Sequence, residues 1–173
     1  MPAVLVDVAT AILKDLNANP KTNFGVKFIA VRSYAEWDVA LEGSGLDELH
    51  VDVVPAGQPI NTLADRGGNI EYETVIHIGI RQRFRRDGET KRFDLSEIDP
   101  LVLLTERIAD YFASDGGVPH QLSTMNSATW KPEGTGNESS GILQPVDKTM
   151  LRMHGQFTGI VQLIYEVIRM PAT

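Results

Sequence analysis

Leu5, Val8, Ala9, Ile12, Leu13 and Leu16 recur at the three- and four-residue spacing of a single helix face, so the chain predicts a helix over residues 3–17. Asn17, Ala18, Asn19 and Pro20 end it, since proline disfavours helical geometry in the residue before it. The period then shortens. Over residues 25–37, Phe28, Ala30, Arg32 and Tyr34 alternate with Ile29, Val31 and Ser33 in a β-branched and aromatic run that predicts a strand. Leu49 to Val54 alternates in the same way and predicts a half-buried strand ended by Pro55. Residues 55–70 carry two prolines and three glycines and predict a loop.

The longest alternation runs over residues 72–84. Tyr72, Ile76, Ile78, Ile80 and Phe84 share one face of a strand, and Glu73, His77, Arg81 and Arg83 share the other. Asp87-Gly88 suits a tight hairpin turn that needs positive φ, with Thr90 to Phe93 as a short return strand. A second helix is predicted over residues 100–114, with Asp99 as N-cap, Pro100 at the first helical position, and Leu101, Leu104, Ile108, Tyr111 and Phe112 as its buried stripe. Residues 114–150 are rich in Ser, Thr, Gly, Asn and Pro and predict a long irregular loop, broken at most by a short strand over 127–131. Residues 155–169 predict a last strand, apolar on both faces in its middle. The expected class is therefore α+β. A mixed, largely antiparallel sheet carries two helices on one face, in a single domain over 1–173 with a loop insertion at about 114–150.

Composition narrows the chemistry. Without cysteine there is no disulfide framework, thiol nucleophile or cysteine-held metal. A net charge of −7 argues against a domain that works by neutralising phosphates. No run approaches the ~20 apolar residues of a membrane span, and no signal-peptide pattern opens the sequence, so a cytoplasmic site of synthesis is expected. No nucleophile elbow, phosphate loop, dinucleotide fingerprint or zinc-protease motif occurs. Asp65 to Asn69 has two glycines but no lysine. His50 and Asp52 lie on one strand face without a third ligand in view, which fits the solvent side of a strand better than a metal site. His77, His120 and His154 have no sequence neighbours that specify a role, and pairs such as Glu71/Glu73 or Glu97/Asp99 read as strand faces or helix starts. No catalytic residue, cofactor or metal is expected.

Assembly is the reading that remains. Arg81, Arg83, Arg85, Arg86, Lys91 and Arg92 crowd one hairpin, and the polar segment 116–146 is long enough for a linker or a binding arm. Arg81, Arg83, Arg85, Arg86 and Trp130 are thus the candidate protein–protein contacts. Trp130 is expected to anchor an arm that only neighbouring chains would order.

The order of blocks VDVATAILKDLN, FIAVRSYAEWDV, LDELHVDVVPAGQPI, YETVIHIGIRQRF, EIDPLVLLTERIADYF and QFTGIVQLIYEVIR resembles the tail terminator, or tail-completion, proteins of long-tailed bacteriophages. The likeness spans nearly the whole chain except about residues 116–146, and no short motif is diagnostic. The resemblance implies a non-enzymatic virion protein, assembled in the host cytoplasm as a homo-oligomeric ring, usually a hexamer. Such a ring caps the head-proximal end of the tail tube, ends its polymerisation and joins the tail to the head connector. Its partners would be itself, the tail tube protein and a connector or neck protein, with DNA passing through and no membrane involved. A small cytoplasmic enzyme or ligand-binding protein, with a pocket near His50, Asp52 and His77, and another neck or tube protein remain as alternatives.

Overall fold

The computed structural model describes residues 3–34, 37, 40–42, 45, 47–56, 60–64, 70–84, 94–113, 120–121, 126–135 and 137–169. In chain order the elements are α1 (Val4–Ala18), α2 (Pro20–Phe24), β1 (Ala30–Arg32), β2 (His50–Pro55), β3 (Ile60–Ala64), β4 (Ile70–Arg83), α3 (Leu95–Ala113), β5 (His120–Gln121), β6 (Asn126–Lys131), β7 (Gly141–Gln144), α4 (Lys148–His154) and β8 (Gln156–Arg169). The expected α+β class holds.

Two long strands form the spine of the sheet. β4 and β8 pair antiparallel along their whole length, from Ile70 opposite Arg169 to Arg83 opposite Gln156. Each is flanked by a strand in two pieces. On one side β2 and then β3 run along β4, and on the other β6 and then β7 run along β8. β1 adds outside β2, in parallel, and β5 outside β6.

Strand alternation gives the sheet two unlike faces. On the first, Val51, Val53, Ile76, Ile78, Ile80, Phe157, Val161, Leu163 and Tyr165 are buried in one cluster with Val8, Ile12 and Leu16 of α1 and Leu104, Ile108 and Phe112 of α3. Both long helices therefore cover the same face, as expected. Burying each such large apolar side chain is worth about 1.5–3 kcal/mol. α3 packs close at Gly159, where a Cβ would lie 2.7 Å from Thr105 Oγ1 and 3.1 Å from the Phe157 ring. At one end Phe24 packs edge-on against Tyr111 at 5.1 Å.

Several sequence expectations need correction. Pro20 does more than end α1. It opens the short helix α2, which Gly25 closes in the left-handed conformation at φ 77°. Of the described residues in the strand expected over 25–37, only Ala30–Arg32 forms one. Asn17 explains part of this: its side chain donates Nδ2–H to Ala30 O (2.9 Å) and accepts from Ala30 N (2.8 Å), taking the place of a neighbouring strand. The 55–70 loop contains β3, which pairs with β4 across a bulge. α3 starts at Leu95, five residues before Pro100. Asp94, not Asp99, caps it: its carboxylate accepts from Ser96 N at 2.9 Å. Hydrogen bonding from the Ser96 side chain, with that backbone bond adding to it, holds the Asp94 carboxyl below its ordinary pKa. The hairpin placed at Asp87-Gly88 and the return strand at 90–93 lie outside the described residues.

The largest correction concerns 114–150. Its described part contains β6, β7 and the start of α4, rather than an arm awaiting neighbours. Only the short strand expected over 127–131 was anticipated there, and it forms as part of β6.

Candidate functional site

The second face of the sheet carries the polar residues of β2, β4 and β8, and the chain's own loops lie on it. At its centre is Gly79, where an added Cβ would lie 2.0 Å from the Trp37 ring, so the missing side chain makes room for the indole. Arg81 stacks on the same ring, 5.3 Å from its centroid. Its guanidinium also grips Asp52 of the adjacent strand, with Nη2 at 2.6 Å and Nε at 3.2 Å from Oδ2. Both side chains are almost fully buried, at 7% and 6% exposure.

A chain of hydrogen bonds crosses this face. Trp37 Nε1–H approaches His77 Nδ1 at 3.5 Å, His77 Nε2 meets Gln162 Oε1 at 2.9 Å, and Gln162 Nε2 donates to Ser139 O at 2.9 Å. Farther along, the carboxylate of Glu73, itself buried, accepts from Thr135 N at 2.8 and 2.9 Å and from Thr135 Oγ1 at 2.9 Å. Gln156, also buried, accepts from Leu41 N at 2.7 Å and donates to Thr158 Oγ1 at 3.0 Å.

These contacts explain the break between β6 and β7. The chain leaves the edge of β8 at Lys131, brings Thr135 and Ser139 over the polar face and rejoins the edge at Gly141. Ser140 closes the gap: its hydroxyl donates to Lys131 O at 2.5 Å and accepts from Ile164 N at 2.9 Å, standing in for the missing strand residue. Gly134 lies so close to the sheet that a Cβ would come within 2.9 Å of Ile164 Cδ1 and 3.0 Å of Glu73 Oε1. Lys131 pairs with Glu166 at 2.8 Å, and that bond raises the ammonium's pKa, with Glu73 and Glu71 adding to the effect. On the helix face, burial pushes the Tyr165 hydroxyl pKa far up, and the Asp15 carboxylate adds to the shift.

The candidate contact residues fall in three settings. Arg81 is spent on Asp52 and Trp37, which corrects its reading as an exposed contact: the strand face that looked solvated in sequence is covered by loops. Arg83 remains near the surface and donates Nε–H to His154 O at 3.1 Å, beside a groove of about 560 Å³ lined by Asp47, Gln82, Phe84 and Glu97. Arg85 and Arg86 lie outside the described residues. Trp130 is a half-buried member of β6 opposite Tyr165, packed against the helix-side core, so the mobile-arm anchor is corrected as well. Its Nε1 is buried with no hydrogen-bond partner.

The pocket imagined near His50, Asp52 and His77 does not gather those three. His50 Nε2 is bonded to Gly45 O at 2.9 Å, Asp52 to Arg81, and His77 to Gln162. Among the described residues no three His, Asp or Glu side chains come together as a metal would need, and no helix is long and apolar enough to cross a membrane.

Sequence reasoning missed the exposed apolar side chains at the two edges of the sheet. Ile29 is 76% exposed, Val31 49% and Tyr34 68% beside β1. Ile142 is 39% and Leu143 54% exposed on β7. The signal was present at the first edge, where Ile29 and Val31 alternate with the buried Phe28 and Ala30, but a second covered face was an equally good reading. Matching against protein-family models finds no family, and no curated protein matches the sequence.

Proposed function

We propose that the chain is a structural subunit that works by assembling head-to-tail with copies of itself. The observation that carries this reading is the division of labour over the sheet. The polar face is committed to internal contacts, while Ile29, Val31 and Tyr34 stand exposed at one edge of the sheet and Ile142 and Leu143 at the opposite one. Leu95 and Leu103 of α3 and Met153 of α4 are the other exposed large apolar side chains among the described residues. Unlike patches on opposite sides of one subunit suit heterologous contacts, which close into rings when the rotation between neighbours allows it.

The resemblance to phage tail terminators gives the assembly a role: a ring, usually of six, that ends tail-tube growth and joins the tail to the head connector. The net charge of −7 suits a ring through which DNA passes without being gripped. The order of the sequence blocks and the α+β class are compatible with this role, and another neck protein of the same particle would share them.

The test is negative-stain imaging and mass photometry of the purified protein, alone and with tail-tube ends. Closed rings of uniform copy number, and tubes that stop elongating once the protein is added, are expected. Monomers under both conditions would overturn the reading.

A further inference from the structure

One histidine holds both segments that reach over the polar face. The His77 ring is half-buried, with Nδ1 facing the Trp37 indole N–H at 3.5 Å and Nε2 facing Gln162 Oε1 at 2.9 Å. Gln162 carries the second contact on to Ser139 O at 2.9 Å. The Trp37 side is the simpler of the two. An indole has a single polar group, an N–H that only donates, and beyond it Trp37 rests on Gly79 and under the Arg81 guanidinium.

We propose that His77 is a pH-sensitive latch that lets Trp37 leave the sheet when the ring is protonated. A protonated imidazole carries a hydrogen on both nitrogens, whatever the tautomer of the neutral ring, so it donates at each and accepts at neither. Toward Gln162 this costs nothing, because a carboxamide oxygen accepts from a charged ring, and more strongly than from a neutral one. Toward Trp37 two N–H groups then meet, and the indole has no acceptor to offer. The response is therefore one-sided: the Trp37 contact opens while the Gln162 to Ser139 contact holds.

The charged groups on the same face leave the added proton without a partner. On β4, Arg81 is a second cation, held by Asp52 of β2. Glu73 is taken by Thr135, and Glu71 and Glu73 lie on the side of Lys131. Arg83 is bonded to His154 O at the other end of the strand. Val54 is the β2 residue opposite His77, and the charged Glu166 of β8 is opposite Glu73 and paired with Lys131. His50 of β2 is bonded to Gly45 O, and Glu138 beside Ser139 is exposed. Among the described residues no carboxylate pairs with His77. Glu36 and Asp38 flank Trp37 in sequence and lie outside the described residues.

The test reads Trp37 alone, in a Trp130→Phe background, from about pH 8 to about pH 5, the range in which histidine ordinarily takes up its second proton. The emission maximum is expected to move to the red and acrylamide quenching to rise at least twofold, with far-UV circular dichroism unchanged. His77→Gln in the same background should remove both responses. Nitrogen-15 NMR of the Trp130→Phe chain supplies a readout that does not depend on that variant folding: the Trp37 indole N–H should shift with the same midpoint as the His77 ring nitrogens, while the Thr135 amide stays in place. A Trp37 signal that does not respond over this range, that responds equally in His77→Gln, or that moves with a midpoint other than that of His77 would overturn the proposal.

Discussion

The two faces of the sheet are built from the same strands yet held by different physics. On the helix face, Ile76, Ile78 and Ile80 are fully buried against α1 and α3, and the cover is apolar and continuous. On the other face the buried polar residues Asp52, Glu73, Arg81, Gln156, Thr158 and Gln162 stand among the buried Val54, Ile160 and Ile164, and Trp37, Leu41, Thr135 and Ser139 reach over them. Apolar packing tolerates small changes because it is non-directional, whereas a buried polar group costs stability when its one partner is removed. The polar face is thus the more specific cover and the more fragile one. It also uses up side chains that would otherwise have been candidates for chemistry.

The largest effect is expected at the ion pair. Arg81→Met leaves Asp52 buried without its partner and should cost ~3–5 kcal/mol, read as a lowered midpoint in urea unfolding. Replacing both residues, Arg81→Met with Asp52→Leu, should cost much less than the sum of the single changes. If the two losses simply added, the pair would not be a coupled unit.

Ile78→Ala gives the matching figure for the apolar face. A loss of ~2–5 kcal/mol is expected from lost burial and the cavity left behind, with Trp37 fluorescence, read in a Trp130→Phe background, unchanged because the indole lies on the opposite side of the sheet. Gly79→Val should displace that indole and shift its emission to the red, since its new side chain claims the space the ring fills.

Glu73→Gln should cost ~1–3 kcal/mol, because Thr135 donates to both carboxylate oxygens and an amide offers only one acceptor. Hydrogen exchange should quicken at the Thr135 amide and remain unchanged in α1.

The smallest effect is a pH dependence. Lys131, Tyr111 and Tyr165 all have raised pKa values: Lys131 through its bond to Glu166, Tyr111 and Tyr165 through burial with a contribution from Asp15. The folded state holds these protons more tightly than the unfolded chain does. Stability is therefore fully present below the unfolded values of 10.0 for tyrosine and 10.5 for lysine, and is lost as pH rises through the folded ones. Melting temperature should be level to about pH 9.5 and fall beyond pH 10. Lys131→Met should reduce the alkaline slope, and Tyr165→Phe should reduce it further.

The apolar face was legible in sequence because its signal is periodic. The spacing from Leu5 to Leu16 and the alternation of Ile76, Ile78 and Ile80 mark one side of a helix and of a strand without reference to anything else. The polar face was not, because Glu73, His77 and Arg81 show the same alternation whether they meet water or a loop. What covers them comes from sequence-distant segments at Trp37, Thr135 and Ser139, and no local pattern records that contact. Gly79 between Ile78 and Ile80 was the available hint, since a glycine inside a strong strand often marks a close approach. The segment over 132–140 misled for a related reason. Its Ser, Gly and Thr content reads as an unsupported loop, yet Ser140 and Thr135 use those same groups to complete the sheet edge and satisfy Glu73. α3 was placed too late because Asp99-Pro100 is a good helix start locally, while Asp94 and Ser96 supply the start that forms.

The central claim is that the polar face is closed by the chain itself while the two edges are left for neighbouring copies. Hydrogen exchange compared between dilute monomer and concentrated assembly tests it most directly. The amide of Thr135 should already be protected in the monomer and change little, while amides around Ile29 to Tyr34 and Ile142 to Gln144 should slow on assembly. Fast exchange of Thr135 in the monomer that slows only in the assembly, with no change at either edge, would contradict the account.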